Sequence, residues 1–335
     1  MNKHAFLTSN GVKRIVLCLF FAMFIACLVS GCGPSGGDLN GDGQSSGGDS
    51  SGGGAGSWDN TPKVLTPEMP GTDMLGQEKD GETVAIDISN RAEGYIVAQY
   101  KGNYEKVKLI LKKTDDPEAR DYNYDLTVGG YDVLPLSGGS GTYGVTVAGN
   151  TTGTTYAPIF MDTFEAAFAD EFRPYLYPNQ YVNFTADSQA VAMARDVTAG
   201  ATGDFDAVEK IFNYAVENIA YDYDKAEQAK QGLLSGYLPN VDDTLATKKG
   251  ICFDYAALVT TMLRSQGVPT KLVIGYSGEA YHAWISVHLE GVGWVAAIEF
   301  KDEDWVLMDP TFASTGSEFQ SLVGDGTNYN AMYYY

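Results

Sequence analysis

The hydrophobic pattern of this chain changes its period part-way along, and this change constrains the fold more than any other feature. Between residues 81 and 159, apolar side chains alternate with polar ones, as in Val84, Ile86, Ile88, in Tyr122, Tyr124, Leu126, Val128 and in Tyr143, Val145, Val147. Alternation is typical of strands with one buried face. Glycine pairs at 129–130 and 138–139 mark turns between the runs. Residues 81–160 are therefore predicted to form a small β-sandwich-like accessory domain, an independent module of unknown role.

The apolar period becomes helical after a passage rich in proline and tyrosine. Phe205, Val208, Phe212, Ala215 and Ile219 recur every three or four residues, which places them on one face of a helix. A shorter helix is predicted at residues 188–197. Strand-like runs return at residues 281–288, 294–298 and 305–309. The second half of the chain is therefore expected to combine helices with strands.

The first 31 residues have the three parts of a secretory signal. Lys3, Lys13 and Arg14 give a positive start, residues 15–29 are apolar, and small residues precede Cys32. Small residues before a cysteine resemble the lipobox of bacterial lipoproteins, which implies that Cys32 is the lipid attachment site. A plain membrane anchor is the alternative, but the apolar run is short of the ~20 residues that a spanning helix needs. We expect a protein of the bacterial cell surface that is lipid-anchored to the membrane after export.

Residues 32–80 are predicted to be a flexible tether, because residues 33–62 are Gly, Ser, Asp and Asn with almost nothing apolar. The charge balance is strongly acidic, with 22 basic and 43 acidic residues. Loss of the three basic residues of the signal leaves 19 against 43, a net charge of about −24. This balance excludes nucleic acid as a partner, since nucleic-acid binding needs basic patches.

The cysteine count isolates one thiol. Of four cysteines, Cys18 and Cys27 leave with the signal and Cys32 takes the lipid, so only Cys252 remains. The mature chain therefore makes no intramolecular disulfide. A single thiol in an exported protein is either buried as a small apolar group or reactive.

Cys252 opens a predicted helix of about 15 residues. From there, Phe253, Ala256, Val259 and Leu263 lie on one helical face, and a glycine and a proline at 267 and 269 end the helix. Unpaired N–H groups and the positive end of the helix dipole stabilise a thiolate at such a position. The same N–H groups suit an oxyanion. Tyr237 and Tyr255 are candidates for a second oxyanion donor, and the sequence does not choose between them.

A thiolate nucleophile needs a proton acceptor, and histidine fits this role because its unperturbed pKa is near 6.5. His282 and His288 remain in the mature chain, six apart in one predicted strand and therefore on the same face. His282, at the start of the strand, is the preferred candidate. Asp309, at the end of a further strand, is the candidate that orients the imidazole. Asp-Pro at a strand end is also an ordinary turn, so spacing leaves this triad open.

The order of three segments resembles the core of the transglutaminase-like superfamily. These are Gly250-Ile251-Cys252-Phe253-Asp254-Tyr255-Ala256, then Tyr281-His282-Ala283-Trp284, then residues 305–312 with Asp309-Pro310-Thr311. The resemblance covers residues 170–335 and includes bacterial lipoprotein members. It implies an α+β, papain-like fold over residues 161–335, in which helices pack on an antiparallel sheet. It also implies Cys252 as nucleophile, His282 as acid/base and Asp309 as the orienting residue.

Two functions remain open at this point. In the first, the protein is a surface-tethered thiol enzyme that acts on amide or peptide bonds through a Cys252 thioester. The expected substrate is a protein or peptide, including cell-wall peptide. The reaction is peptide or isopeptide hydrolysis, slightly preferred, or protein transamidation, and no metal or cofactor is expected. In the second, the protein is a non-catalytic envelope-binding lipoprotein with an inherited triad.

Overall fold

The computed structural model describes residues 58–296, 298–301, 304–307 and 329–335. The signal, Cys32, the Gly-rich stretch and Asp309 lie outside the described residues, so what the sequence indicates for them stays a prediction. Residues 58–79, at the end of the predicted tether, make ordered contacts. The N–H of Trp58, for example, donates to the carbonyl of Ala201 at 3.1 Å. Apolar side chains reappear here, and Trp58, Val64 and Leu75 pack against the hydrophobic core.

The first half of the described chain consists of eight strands in two sheets. The strands are β1 (Met74–Lys79), β2 (Glu82–Asp87), β3 (Tyr95–Lys101), β4 (Val107–Lys113), β5 (Tyr122–Asp125), β6 (Tyr131–Pro135), β7 (Gly141–Thr152) and β8 (Thr155–Ala166). One sheet has the order β1-β2-β3-β6 and the other β5-β4-β7-β8. All these pairs are antiparallel. The predicted β-rich accessory region is thus confirmed, while the predicted domain bounds stay predictions.

Alternating side chains in these strands supply the core. Along β4, Val107, Leu109 and Leu111 are buried, whereas Lys108 and Ile110 are only half-buried on the opposite face. This is the period of two that the sequence indicates. Strands β1, β6 and β8 were not predicted from the sequence.

The second half contains five described helices and eight short or medium strands. They are α1 (Gln189–Val197), α2 (Asp204–Asn218), β9 (Ala220–Tyr221), α3 (Tyr223–Lys230), α4 (Val241–Thr247), β10 (Lys249–Gly250), α5 (Cys252–Ser265), β11 (Thr270–Ser277), β12 (Ala280–Leu289), β13 (Gly293–Ala296), β14 (Ile298–Lys301), β15 (Asp304–Leu307) and β16 (Tyr329–Tyr334). The main sheet has the order β13-β12-β11-β16 and is antiparallel throughout. The predicted helices at 188–197, 205–219 and from 252 are all present.

Helix α5 is the centre of this half. It is buried from Asp254 to Ser265, because it packs against β11 and β12 on one side and against α1, α2 and α4 on the other. The predicted fold class, helices packed on an antiparallel sheet, is therefore confirmed. Among the described residues, no helix is both long enough and apolar enough to cross a membrane.

A fully buried arginine joins the end of α5 to the sheet. Arg264 donates to the main-chain oxygen of Thr270 through Nε (2.9 Å) and Nη2 (2.8 Å), to that of Tyr177 through Nη1 (2.6 Å) and to that of Tyr335 through Nη2 (2.6 Å). Burial lowers the pKa of its guanidinium to about 9. The arginine thus donates to three main-chain oxygens, of which that of Tyr335 also accepts from the N–H of Leu272 at 2.9 Å.

Candidate active site

Cys252 is the first residue of α5, as the sequence predicts, and its side chain is half-buried. The first hydrogen bond of the helix runs from the N–H of Tyr255 to the carbonyl of Ile251 at 3.1 Å. The N–H groups ahead of Tyr255 therefore precede the helical ladder, where helices present free donors. This position provides the donors and the dipole that suit a thiolate and an oxyanion.

A buried ionic network holds the first turn of α5. The Asp254 carboxylate is fully buried. It accepts from the N–H of Ile251 at 2.8 Å, from the Lys225 ammonium at 2.7 Å and from the Tyr237 hydroxyl. The Lys225 ammonium also donates to the Tyr237 hydroxyl at 2.6 Å. Because these bonds satisfy the carboxylate, the network fixes the backbone that carries Cys252.

This network was not predicted from the sequence, although part of its signal was present there. An acidic residue at the third helical position commonly bonds back to the N–H of the N-cap residue, and Asp254 occupies that position. Gly250 is the second clue, because a Cβ there would lie 2.6 Å from the Cβ of Asp254. Lys225 could not be found in this way, since it belongs to another helix.

The two tyrosines considered as oxyanion donors differ in what they contact. Tyr255 is fully buried and its hydroxyl donates to the carbonyl of Ile219, away from the cleft. Tyr237 lines the cleft, but its hydroxyl donates to Asp254. Burial, together with that hydrogen bond, raises the pKa of Tyr237 above its ordinary value. Tyr237 is therefore a neutral phenol engaged with a carboxylate, and it positions Asp254.

His282 lies in β12, where the sequence predicts a strand, and is 7% exposed. Its cross-strand neighbour is Gly275 of β11. The ring of Trp284 lies nearly parallel to the imidazole, at a centroid distance of 6.3 Å and an interplanar angle of 23°. A Cβ on Gly275 would lie 2.8 Å from the end of that indole. Glycine at 275 thus leaves room for the indole that packs beside His282.

One cleft of about 530 Å³ contains both Cys252 and His282 in its wall. The start of α5 forms one side, β11 and β12 form another, and residues 232–238 form an edge with Tyr237 and Leu238. The β-rich half contributes Lys108, Asn123 and Asp125, and the rest of the wall includes Gln180, Tyr181, Tyr333 and Tyr335. The structure thus brings the predicted nucleophile and the predicted acid/base to the same cavity. Asp309 lies outside the described residues.

His288, the second candidate, is in a different environment. Its ring contacts Phe172 at a centroid distance of 4.2 Å and Trp294 at 5.3 Å, and it is not part of the wall of the Cys252 cleft. The preference for His282 therefore agrees with the geometry. Within the described residues, no three His, Cys, Asp or Glu side chains are grouped closely enough to hold a metal ion.

Residues 191–310 match the family model of the transglutaminase-like superfamily. The chain carries a transglutaminase-like core. The match begins within α1 and includes α5 and β12, with Cys252 and His282. The family resemblance expected from the sequence is confirmed.

Curated relatives match parts of this chain. A UPF0252 protein of Methanocaldococcus jannaschii is 31% identical over 96 residues, which are 26% of this chain and 27% of the relative. The kyphoscoliosis peptidase of Mus musculus is 29% identical over 167 residues, which are 45% of this chain and 22% of the relative. The chain therefore spans only about a quarter of the length of these relatives.

Two solved structures show weak overall similarity. A candidate cysteine protease from Cytophaga hutchinsonii has a TM-score of 0.34 at 13% identity and covers 76% of each chain. Red sea bream transglutaminase has a TM-score of 0.24 at 13% identity and covers 65% of this chain and 48% of its own. The family-model match, rather than these two structures, assigns the transglutaminase-like core.

Proposed function

We propose that this protein is a thiol acyl-transfer enzyme that acts on amide bonds of proteins or peptides through a Cys252 thioester. The observation that supports this proposal is the shared cleft, with the Cys252 thiol at a helix start and His282 in the same wall. A nucleophile and a base within one partly enclosed cavity are the minimum for covalent acyl transfer.

In the proposed reaction, His282 takes the thiol proton and the Cys252 sulfur attacks the amide carbon. The N–H groups at the start of α5 stabilise the resulting oxyanion. Collapse breaks the C–N bond, and the amine leaves with the proton from His282, which leaves a thioester on Cys252. Asp309, which lies outside the described residues, is proposed to orient the imidazole.

Water or an amine then attacks the thioester carbonyl while His282 takes its proton. Collapse of this second intermediate breaks the C–S bond, and His282 returns the proton to the Cys252 sulfur. Water thereby completes hydrolysis, and an amine completes transamidation. We favour hydrolysis of peptide or isopeptide bonds. We also propose that Cys32 carries the lipid that anchors the protein to the cell surface after export, which would place proteins or cell-wall peptides within reach.

Mass spectrometry of the full chain incubated with envelope peptides tests this function. We expect an acyl adduct on Cys252, a gain of one water in hydrolysed peptides or a loss of ammonia in crosslinked ones, and none of these products with Cys252→Ala. A Cys252→Ser variant serves as the near-isosteric control. Saturable iodoacetamide labelling of Cys252 should accompany the activity. Envelope binding that survives Cys252→Ala, with no adduct in the native chain, would instead support a non-catalytic binding lipoprotein.

A further inference from the structure

The wall of the Cys252 cleft is continued by a second groove on the β-rich half. This groove, of about 670 Å³, is lined by residues of the β5-β4-β7-β8 sheet and by Ser235 and Gly236. Five lining residues belong to both cavities, namely Lys108, Asn123, Asp125, Ser235 and Gly236. The two cavities therefore meet along a shared border, where the β-rich half faces the loop of residues 232–238.

The groove lies on the face of the β5-β4-β7-β8 sheet that points away from the core. Lys108 and Ile110 point away from the core along β4, because their neighbours in the strand are buried. Asn123 is the cross-strand partner of Ile110, and Asp125 is the partner of Lys108. Since side chains alternate between the faces of a strand, these four side chains share one surface. The hydrogen-bonded strands hold this surface in place, and its lysine, asparagine and aspartate side chains can form hydrogen bonds.

The charges of the groove are balanced. Lys108 forms an ion pair with Asp125 at 2.7 Å, and Glu105 and Lys106 add one charge of each sign. The Lys108 ammonium also lies 5.7 Å from the centre of the Tyr156 ring. The lining therefore offers amide, carboxylate and aromatic contacts without a net charge, which suits the main chain and mixed side chains of a peptide.

We propose that this groove is a substrate subsite that holds an extended polypeptide segment while the reacting amide lies at Cys252. The proposal rests on the proposed function and adds the substrate class, a polypeptide rather than an isolated short amide. The β-rich half thereby becomes part of the substrate-binding surface of the transglutaminase-like core.

The width of the sheet determines how long a polypeptide segment the groove can hold. The groove extends across the four strands from Asp125 on β5 to Tyr156 on β8. Three interstrand spacings of about 4.8 Å make about 14 Å, which about four residues of extended chain would span. Peptides that reach about four residues beyond the cleft should therefore gain contacts that shorter peptides lack.

Labelling of Cys252 by peptide probes of increasing length tests the subsite. One series consists of randomised peptides with a chloroacetyl group at the N-terminus, and the other of randomised peptides ending in a chloromethyl ketone, each from one to eight residues. In one of the two series, we expect the second-order rate of labelling to rise about tenfold once the peptide is long enough to enter the groove. A tenfold rise corresponds to about two net hydrogen bonds. The rise should persist at high salt, because the groove has no net charge.

Thr154 provides the variant that blocks the groove. It is exposed in the turn between β7 and β8 and lines the groove but not the cleft. Thr154→Trp should reduce the ratio of long-probe to short-probe rates to about one. Thr151→Trp is the matched control, because Thr151 is exposed in the same hairpin and lines neither cavity. This control should retain the native ratio.

The outcomes separate the subsite from the chemistry. Short-probe labelling of Cys252 with rates independent of length in both series would overturn the subsite and leave the proposed function intact. A length-dependent rise that survives Thr154→Trp would also overturn it. A Cys252 that no probe labels would overturn the proposed function, and the subsite with it.

Discussion

The two ends of β12 carry similar residues in opposite environments. His282, near the start, is buried and lies in the wall of the Cys252 cleft. His288, near the end, packs against a tilted Phe172 ring and edge-on against Trp294, and its main-chain N–H donates to the carbonyl of Pro269 at 2.9 Å. Both histidines lie on the same face of the strand. Their difference therefore arises from what the rest of the fold places beside each end.

The lysines near the two ends of β12 also have different environments. Near the cleft, the Lys225 ammonium is paired with the buried Asp254 carboxylate. At the other end, the Lys271 ammonium lies among aromatic rings, 3.7 Å from the centre of the Trp294 ring and 4.7 Å from that of Tyr175. The cleft end thus stabilises charge by pairing, and the aromatic end surrounds a cation with π faces. This contrast separates the end that carries the proposed site from the end that is held by aromatic packing.

Substitution of the two histidines should give the largest difference between the ends. His282→Asn removes the proposed acid/base and should lower kcat about 10³-fold. His288→Asn should change kcat by no more than about threefold, because the ring packs outside the cleft. Turnover of the envelope peptides by purified full chain measures both, with circular dichroism to confirm folding. Equal losses for the two variants would remove the functional distinction.

Removal of the paired lysine should give the largest loss of stability. Lys225→Met leaves the Asp254 carboxylate buried without its cation, which should lower the free energy of unfolding by about 3 kcal/mol. Lys230→Met, an exposed lysine at the end of the same helix, should change it by less than about 0.5 kcal/mol. Denaturant unfolding compares the two. Similar values would show that the ion pair contributes little.

A methyl group at Gly275 should disturb the cleft end through packing. In Gly275→Ala, the new Cβ would lie 2.1 Å from the carbonyl oxygen of Asn330 and 2.8 Å from the Trp284 ring. We expect a loss of about 1–3 kcal/mol and a lower kcat, because Trp284 packs beside His282. Gly144→Ala is the control, since its Cβ would meet a threonine methyl at 3.1 Å and only one more distant atom. Unaltered stability in Gly275→Ala would contradict the close packing at this position.

The lysine at the aromatic end should give the smallest effect, and it should depend on pH. Burial lowers the pKa of Lys271 to about 8, although Glu171 opposes the shift. Between pH 8 and about 10.5, the unfolded chain holds a proton on Lys271 that the folded chain has lost, so stability at this site rises with pH. The stability of the native chain relative to Lys271→Met should therefore increase from pH 8 to pH 10. Unfolding curves at both pH values measure this difference, and a constant or decreasing difference would contradict the shift.

The amino-acid pattern predicted much of the local structure. The alternation of Tyr143, Val145 and Val147 predicts β7, and the stripe from Phe205 to Ile219 predicts α2. The start of α5 at Cys252 follows from the apolar positions after it and from the glycine beyond its end. Strands β1 and β8 were missed because most of their side chains are exposed or half-buried, and their alternation is correspondingly weak. Strand β6 was missed although three of its five residues are buried, because the buried ones include the charged Asp132 and Pro135.

By itself, the sequence determined that Cys252 begins a helix and that His282 and His288 share one face of a strand, because both follow from the local periods of helix and strand. The tertiary structure decided which histidine shares a cavity with the thiol, since this depends on how β12 packs against α5. It also brought Lys225 to Asp254, and the β5-β4 face to the edge of the cleft. These contacts join residues far apart in the chain, and no local period encodes them.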